Sequence, residues 1–500
     1  MTYFSTVDYI LFGGYLIASV LVGVLFVKEQ RTVKDYFLAG RSIGSVVVGL
    51  SVIAAMFSGV SYLATPAEIY KNGFAFAWGL FSFFIITPFV TLVMLPLFYQ
   101  SRFFTAYQYL EDRFARQVRV LASTLFILRV LFWLAAATYA PALALQQATG
   151  MSLEFTILCT GLLTTFYTTL GGMKAVIWTD MLQLAVLFGG QLMIAMVALG
   201  KVPGGAEGVY QIALEKGRFD LSFSLDPTAR MTFWTVVIAA PFLNLIQLGT
   251  DQVAVQRYLT ARSLREAKRG LWIKLWLFFP VGSLFLITGL ILWAFYQFQP
   301  DPLAGGLITK ADQILPYFVV HELPKGFAGI LIAAIYAASM STVSAGLNSL
   351  SSCTLMDLGR GAISGTAAQE ETQLRKARWI TISYGILVTA LAFVIGGMKQ
   401  SLVESVNEII GIVGGPILGL FLLGMLVPRT NTLGAMAGVL TGFLSLGTLY
   451  ASGSNISFMW YALIGSIITM SVGFLVSLFQ PPPADANLDG LVWQRRPKVE

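Results

Sequence analysis

The chain has 500 residues, of which 56% are hydrophobic and 11% are charged, and its formal net charge is +7. This composition excludes a soluble globular protein and is typical of a protein that crosses a membrane many times. The basic excess requires no nucleic-acid partner, because positive charge beside anionic lipids is ordinary in membrane proteins.

In chain order, thirteen apolar segments are long enough to cross a hydrocarbon core of about 30 Å, which takes about 20 helical residues. They are 8–27, 44–70, 74–100, 118–148, 152–171, 176–200, 230–255, 270–298, 325–355, 376–396, 400–427, 432–451 and 456–479. The first segment has no basic residues before it and no cleavage site, which indicates a retained helix rather than a signal peptide. The loops are too short for a soluble domain. We therefore predict one membrane domain over residues 1–480 and an extended or disordered cytoplasmic tail over 481–500.

The basic residues are distributed unevenly between alternate loops. With the N-terminus outside, 23 of them fall on the cytoplasmic side and eight on the outer side, while Arg129 falls within a span. The positive-inside rule therefore predicts an outer N-terminus and a cytoplasmic C-terminus in the plasma membrane. Residues 103–117 combine aromatic and charged side chains, which favours a short helix along the cytoplasmic interface. Cys159 and Cys353 fall in predicted helices and suggest no disulfide, and His321 falls in an outer loop.

One very apolar segment, Gly329 to Cys353, carries a polar stripe at helical spacing. Its members are Ser341, Thr342, Ser344, Asn348, Ser351 and Ser352. An unsatisfied polar group in lipid costs several kcal/mol, so the stripe is expected to face the bundle interior or a watery cavity. Neutral oxygen ligands suit a hard cation that must be both bound and released. Alternatively, the hydroxyl groups bond back to carbonyl groups of the preceding turn and allow close helix packing.

Two spans are interrupted at matching positions, five helices apart. The first break lies at Ser58-Gly59-Val60-Ser61 and the second at Leu248-Gly249-Thr250-Asp251. Paired interruptions of this kind are typical of transporters built from two inverted repeats. We expect the repeats to cover about 44–200 and 230–427, with one additional helix before them (8–27) and two after (432–451 and 456–479). Gly59 and Gly249 are alternatively explained as packing glycines.

Six stretches of the chain resemble one known family, in the same order and over most of its length. They are GLSVIA at 49–54, TPAEIY at 65–70, YAPALAL at 139–145, GGMKAVIWTD at 171–180, VQRY at 255–258 and STVS at 341–344. These residues are similar to the sodium:solute symporter family, and look most like the branch that carries monocarboxylates, iodide and vitamins. The resemblance implies an all-α LeuT-type bundle of five plus five inverted-repeat helices, alternating access, and inward symport driven by sodium.

The resemblance also implies ion ligands. The main sodium site of the family matches Ala54, Phe57, Ala338, Ser341 and Thr342. A second site found in some members matches Asp180, Ser341 and Ser344, but the next position, often a hydroxyl, is Ala345 here. The number of sodium ions carried in each cycle, one or two, is therefore left open. A carboxylate within a span is costly unless it is paired or hydrated. The alternative for Asp180 is a solvated helix end or a pair with Lys174.

The solute is less closely defined. Sialic-acid carriers of the family align a glutamine and an arginine with Leu80 and Trp133, and the lack of that arginine argues against a sialic acid. The expected wall of the solute site consists of Ser58, Ser61, Phe76, Trp78, Trp133, Tyr139, Thr250 and Gln252. A largely apolar site with a few polar groups suits a small organic solute, such as a monocarboxylate or similar anion.

Other functions are weighed against this one. A vitamin, sugar or amino acid is an alternative solute, and an uncoupled membrane sensor or channel is an alternative activity. An enzyme is not expected, because the sequence contains no HExxH, no GxSxG and no cluster of histidine with carboxylates. Arg129, Glu68 and Asp251 are further charges within the spans. Arg129 is expected to face the bundle interior or to have a partner. Glu68 and Asp251 are candidate gate or partner residues, with structural roles as the alternative. The sequence does not indicate the oligomeric state.

Overall fold

The computed structural model describes residues 4–100, 103–324, 326–359, 366–395, 402–484 and 488–495. Within these ranges the only β-type pairing is an isolated bridge between Ile43 and Ala261. Several basic residues that entered the predicted charge asymmetry lie outside the described residues: Arg102, Lys325, Arg360, Lys399, Arg496 and Lys498.

The first half of the bundle consists of six membrane helices. They are α1 (Thr6–Leu25), α2 (Ser45–Met56), α3 (Gly59–Asn72), α4 (Phe74–Tyr99), α5 (Arg116–Thr149) and α6 (Leu153–Lys201). A capping box of Ser5 and Asp8 begins α1, and the Ser152 side chain caps α6. These caps satisfy backbone amides that have no helical partner, and so define where the helices begin.

Helix α6 is divided near its middle. Its 49 residues would span about 74 Å as one straight helix, far more than a bilayer core. Gly172 interrupts it with φ 58° and ψ −162°, a conformation that only glycine adopts readily. A β-carbon at this position would also lie 2.9 Å from the Tyr36 carbonyl oxygen. The break falls between the two predicted spans 152–171 and 176–200.

In the described chain, the second half of the bundle contributes eight membrane helices. They are α7 (Thr235–Thr250), α8 (Gln252–Leu259), α9 (Leu264–Phe295), α10 (Phe327–Leu358), α11 (Ala367–Ile395), α12 (Leu402–Leu426), α13 (Thr432–Ala451) and α14 (Phe458–Leu478). In the described chain ten helices are long and apolar enough to cross a membrane, or up to twelve if each bent pair is one span. Since α6 counts once in that number, thirteen crossings stay a prediction.

The striped helix α10 lies at the centre of the bundle. It is almost entirely buried and packs against α1, α5 and α6, whereas α1, α13 and α14 are mostly exposed at the rim. All six polar residues of the stripe are buried within the protein. The expectation that they avoid the lipid is therefore confirmed.

The structure corrects several expectations about the ends of the chain and its loops. Residues 103–110 are buried within the protein, with a short helix at Gln108–Arg113; Thr105 donates to Asp357 at 2.6 Å and the Gln252 side chain accepts from the Ala106 amide at 2.8 Å. In the described part of the tail, Leu488 and Val492 are buried, whereas residues 481, 482 and 484 are exposed. His321 lies in a helix, Ile314–Glu322.

Two basic residues counted on the cytoplasmic side are wholly buried. Arg257 lies in α8 and Lys274 in α9, both with no exposed surface. Sequence reasoning missed them as intramembrane charges because both stand close to a run of basic loop residues. Cys159 and Cys353 are free thiols.

Candidate ion site and central cavity

The first break is a sharp bend between α2 and α3. The two helices meet at 64°, and Phe57 and Ser58 between them have extended backbone, with ψ of 94° and 167°. Ser58 caps α3 by accepting a hydrogen bond from the Ser61 amide at 3.1 Å. The last carbonyl groups of α2, including that of Ala54, have no continuation of the helix to bond with. The break therefore presents free carbonyl oxygens and a helix N-terminus at one point.

This break lies directly against α10. A β-carbon at position 59 would be 1.9 Å from Ser339 Oγ and 3.2 Å from the Ser339 β-carbon, so glycine favours the close approach of the α3 N-terminus to α10. Both α2 and α3 pack on α10. The structure thus brings the elements of the predicted sodium site together: Ala54 and Phe57 on one side, and Ala338, Ser341 and Thr342 on the other.

The hydroxyl groups of the stripe differ in their hydrogen bonds. Ser344 and Ser352 bond back to the carbonyls of Ser341 and Ser349 at 3.0 and 2.9 Å, as the structural alternative predicts. Near the break, Thr342 Oγ1 is buried and has no hydrogen-bond partner among the described residues. A buried hydroxyl normally has a partner. An oxygen left free here fits a hard cation, which takes oxygen ligands.

Asp180 is fully buried beside this point and accepts hydrogen bonds from three side chains. Ser341 donates at 2.9 Å, Ser51 at 2.6 Å and Arg257 at 3.0 Å. The alternative pair with Lys174 is wrong, because Lys174 pairs with Glu29. Arg257 also donates to the Ser51 carbonyl at 3.0 Å, so its guanidinium links α8, α2 and α6.

The other member of the predicted second site is Ser344. Its hydroxyl donates to the Ser341 carbonyl at 3.0 Å. Asp180 thus contacts the side chain of Ser341, and Ser344 contacts the backbone carbonyl of Ser341.

A cavity of about 210 Å³ lies between α3, α4, α5, α7 and α9. Four of the eight predicted wall residues line it: Ser58, Ser61, Phe76 and Trp133. The wall is mainly apolar, and the N-terminus of α3 reaches it at Ser58. Partial positive charge at that helix end favours an anion.

The other four predicted wall residues do not line this cavity. Trp78 is 46% exposed and stacks on Phe81 at the surface. Thr250 donates to the Ile246 carbonyl at 3.1 Å within α7. Gln252 bonds with the backbone of residues 104 and 106, and Tyr139 is buried outside the cavity lining. The positions of the helix breaks could not reveal these orientations.

The structure adds an ion pair to the wall. Arg129 Nη2 lies 2.5 Å from Asp251 Oδ2, both side chains are buried, and both line the cavity. Asp251 sits at the second break, where α7 and α8 meet at 49°, and it caps α8 by accepting from the Val253 amide at 2.9 Å. Arg129 lies one helical turn from Trp133, the position that aligns with the arginine of sialic-acid carriers. A guanidinium is therefore present near that position.

Other polar groups of the wall were not predicted: Thr65, Asn244, Gln247 and Asn407. Glu68 lies apart from the cavity and pairs with Arg230 at 2.6 Å.

Comparison with known proteins identifies the family to which this chain belongs. The sequence profile of the sodium:solute symporter family matches residues 36–442. The chain belongs to the sodium:solute symporter family. It is a sodium-coupled solute symporter and not an enzyme, as the resemblance implied.

Two relatives illustrate the range of solutes. The symporter is 34% identical over 442 residues to the sodium-coupled monocarboxylate transporter 1 of Mus musculus, covering 87% of this chain and 72% of that protein. It is 33% identical over 495 residues to the sodium/sialic acid symporter SiaT of Proteus mirabilis (strain HI4320), covering 97% and 98%.

Solved structures agree on the fold. The symporter matches a substrate-bound, outward-open sodium-coupled sialic acid symporter with a TM-score of 0.86 and 31% identity, covering 96% of this chain and 99% of that one. MHP1, a nucleobase-cation-symport-1 family transporter in a closed conformation, matches with a TM-score of 0.60 at 14% identity, covering 91% and 97%. The symporter is therefore an all-α membrane protein with the LeuT-type inverted-repeat fold.

Proposed function

We propose that this symporter imports a small monocarboxylate together with sodium. The observation that carries the proposal is the position of the cavity, which adjoins both the N-terminus of α3 and the ion-site break. Its volume of about 210 Å³ is below the range of about 300–1,000 Å³ that is usual for drug-sized ligands, which favours a solute of few heavy atoms. Several relatives are sodium-coupled monocarboxylate transporters, which supports the same solute class.

In this proposal sodium binds at the first break. Carbonyl oxygens of Ala54, Phe57 and Ala338 and the hydroxyl oxygens of Ser341 and Thr342 are its ligands. Asp180 orients the Ser341 hydroxyl by accepting a hydrogen bond from it, so that the oxygen lone pairs are free for the ion. Bound sodium joins α2 and α10 beside the cavity and thereby raises the affinity for the solute, and the solute raises the affinity for sodium by the same factor.

The solute carboxylate binds between the α3 N-terminus and the Arg129 guanidinium. Both are positive and both line the cavity. Asp251 holds the guanidinium in place. Ser58, Ser61, Phe76 and Trp133 contact the remainder of the solute.

The membrane arrangement completes the proposal. The N-terminus is outside and the C-terminus is cytoplasmic, so α8 and the following loop lie toward the cytoplasm. The inverted repeats cover about 44–200 and 230–427 of a single membrane domain, 1–480. A second ion at Asp180 and Ser344 requires the Arg257 guanidinium to move away from Asp180.

The test is uptake by the purified protein in proteoliposomes, in sodium and again in potassium. The panel consists of labelled propionate, lactate, a vitamin carboxylate, a neutral sugar, an amino acid and a sialic acid. Accumulation of the short monocarboxylates in sodium alone supports the proposal. Accumulation of another class instead reassigns the solute, and sodium-indifferent binding or conductance without accumulation supports an uncoupled sensor or channel.

A further inference from the structure

Lys274 of α9 is a fully buried lysine that no part of the proposed site uses. Its ammonium has no hydrogen-bond partner among the described residues. Nζ lies 3.6 Å from the ring centroid of Phe83 and 4.3 Å from that of Phe278. Aromatic faces attract a cation but replace only part of its lost hydration. The buried carboxylates Asp180 and Asp251 are each engaged by an arginine instead.

The position of Lys274 relates it to the cavity. Phe278, Gly282 and Leu286 line the cavity at intervals of four residues along α9, and Lys274 is the next member of that series. Residues four apart share one helix face, so Lys274 stands about 6 Å beyond Phe278 on the cavity-facing side. Phe83 lines the cavity as well. The two rings that cover the ammonium are therefore also part of the cavity wall.

Beyond these rings the path is closed by helix packing. A β-carbon at Gly49 would lie 2.6 Å from the Gly270 carbonyl oxygen and 3.2 Å from the Lys274 amide nitrogen. Helix α2 thus presses on α9 at the level of Lys274. A solute leaving the cavity toward the α8–α9 loop passes this point only after α2 and α9 separate.

We propose that Lys274 is a second anion-binding position on the solute path, used once α2 has moved away from α9. The carboxylate leaves the cavity, the rings of Phe83 and Phe278 turn aside, and the ammonium becomes its counter-ion. A carboxylate in a low-dielectric passage needs such a partner, and Lys274 has no carboxylate partner among the described residues. The identity of the anion as a monocarboxylate rests on the proposed function.

The first test compares the two sides of the membrane. Wild type, Lys274→Met, Lys274→Arg and the control Lys268→Met are reconstituted in one orientation, and the KM for labelled propionate is measured from each side. We expect Lys274→Met to raise the KM from the α8–α9 side by about tenfold, the value of one charged hydrogen bond, and Lys274→Arg to restore it. The KM from the other side stays within about twofold. An equal change from both sides, or none, overturns the proposal.

The second test needs no knowledge of the solute. Wild-type protein is treated with water-soluble N-hydroxysuccinimide acetate in potassium and in sodium, and acetylation of each lysine is quantified by mass spectrometry. We expect Lys274 to be acetylated in potassium and protected in sodium, with Lys268 acetylated in both. If Lys268 reacts and Lys274 never does, its role is structural. A wild type that transports another anion but not propionate would refute the monocarboxylate proposal, while this labelling still decides the role of Lys274.

Discussion

Ser341 and Thr342 are neighbours on α10, and both hydroxyl groups are buried. Ser341 Oγ donates to Asp180 Oδ1 at 2.9 Å, whereas Thr342 Oγ1 has no partner among the described residues. A protein interior seldom leaves a hydroxyl unbonded. The contrast between the two residues supports our proposal of a sodium ligand at Thr342, opposite the helix break that presents further oxygens.

We expect Thr342→Val and Ser341→Ala each to raise the sodium concentration for half-maximal uptake by about tenfold, since each removes one oxygen ligand of the charged sodium ion. Valine keeps the shape of threonine. The control is Thr138→Val in α5, whose hydroxyl donates to the Leu134 carbonyl at 2.9 Å, away from the break. Sodium titrations of uptake provide the measurement. An unchanged half-maximal concentration in both variants removes the ion-site assignment.

Asp180→Asn leaves the Arg257 guanidinium buried without its counter-charge. Loss of one partner from a buried pair typically costs about 3–5 kcal/mol in the free energy of unfolding. We expect a marked fall in melting temperature for Asp180→Asn, and a smaller one for the double variant Asp180→Asn, Arg257→Gln, in which both charges are absent. Thermal unfolding in detergent measures both. Equal melting temperatures for the single and double variants would contradict the pairing.

Asp251→Asn tests the ion pair in the cavity wall. Asparagine still caps α8, but the buried Arg129 loses its counter-charge. We expect a loss of about 3–5 kcal/mol in the free energy of unfolding, which bound propionate partly restores by becoming the missing anion. Propionate should therefore raise the melting temperature of this variant more than that of wild type.

The control for that experiment is Glu68→Gln, which breaks the Glu68–Arg230 pair away from the cavity. Propionate should raise its melting temperature by the same amount as in wild type. A propionate effect no larger in Asp251→Asn than in Glu68→Gln would argue against a carboxylate at Arg129.

Gly59→Ala places a methyl group 1.9 Å from Ser339 Oγ. Overpacking of this kind costs about 1–3 kcal/mol in the free energy of unfolding. Adding Ser339→Ala removes the clashing oxygen and leaves a contact of 3.2 Å to the β-carbon, so we expect the double variant to regain most of the lost stability. Gly14→Ala in α1 is the control, because no atom lies within 4 Å of its added β-carbon. If Gly59→Ala unfolds no earlier than Gly14→Ala, α3 does not pack so closely on α10.

Local sequence properties predicted much of this symporter. Apolar length predicts the spans, and the bends between α2 and α3 and between α7 and α8 lie at the two predicted breaks. The stripe on α10 is visible as a helical repeat of hydroxyl groups. Family resemblance added the LeuT-type fold and the residues of the proposed sodium site, because the matching stretches are contiguous in the chain.

The sequence by itself thus determined the membrane class, the helices and their interruptions, since hydrophobicity and helical period act over neighbouring residues. Only the tertiary structure decided which side chains meet. It paired Asp180 with Arg257 rather than Lys174, placed Trp78 and Tyr139 outside the cavity lining, and buried Lys274 beneath two rings of the cavity wall. Each outcome depends on the rotation of one helix against another, and that rotation is set by packing between residues far apart in the chain.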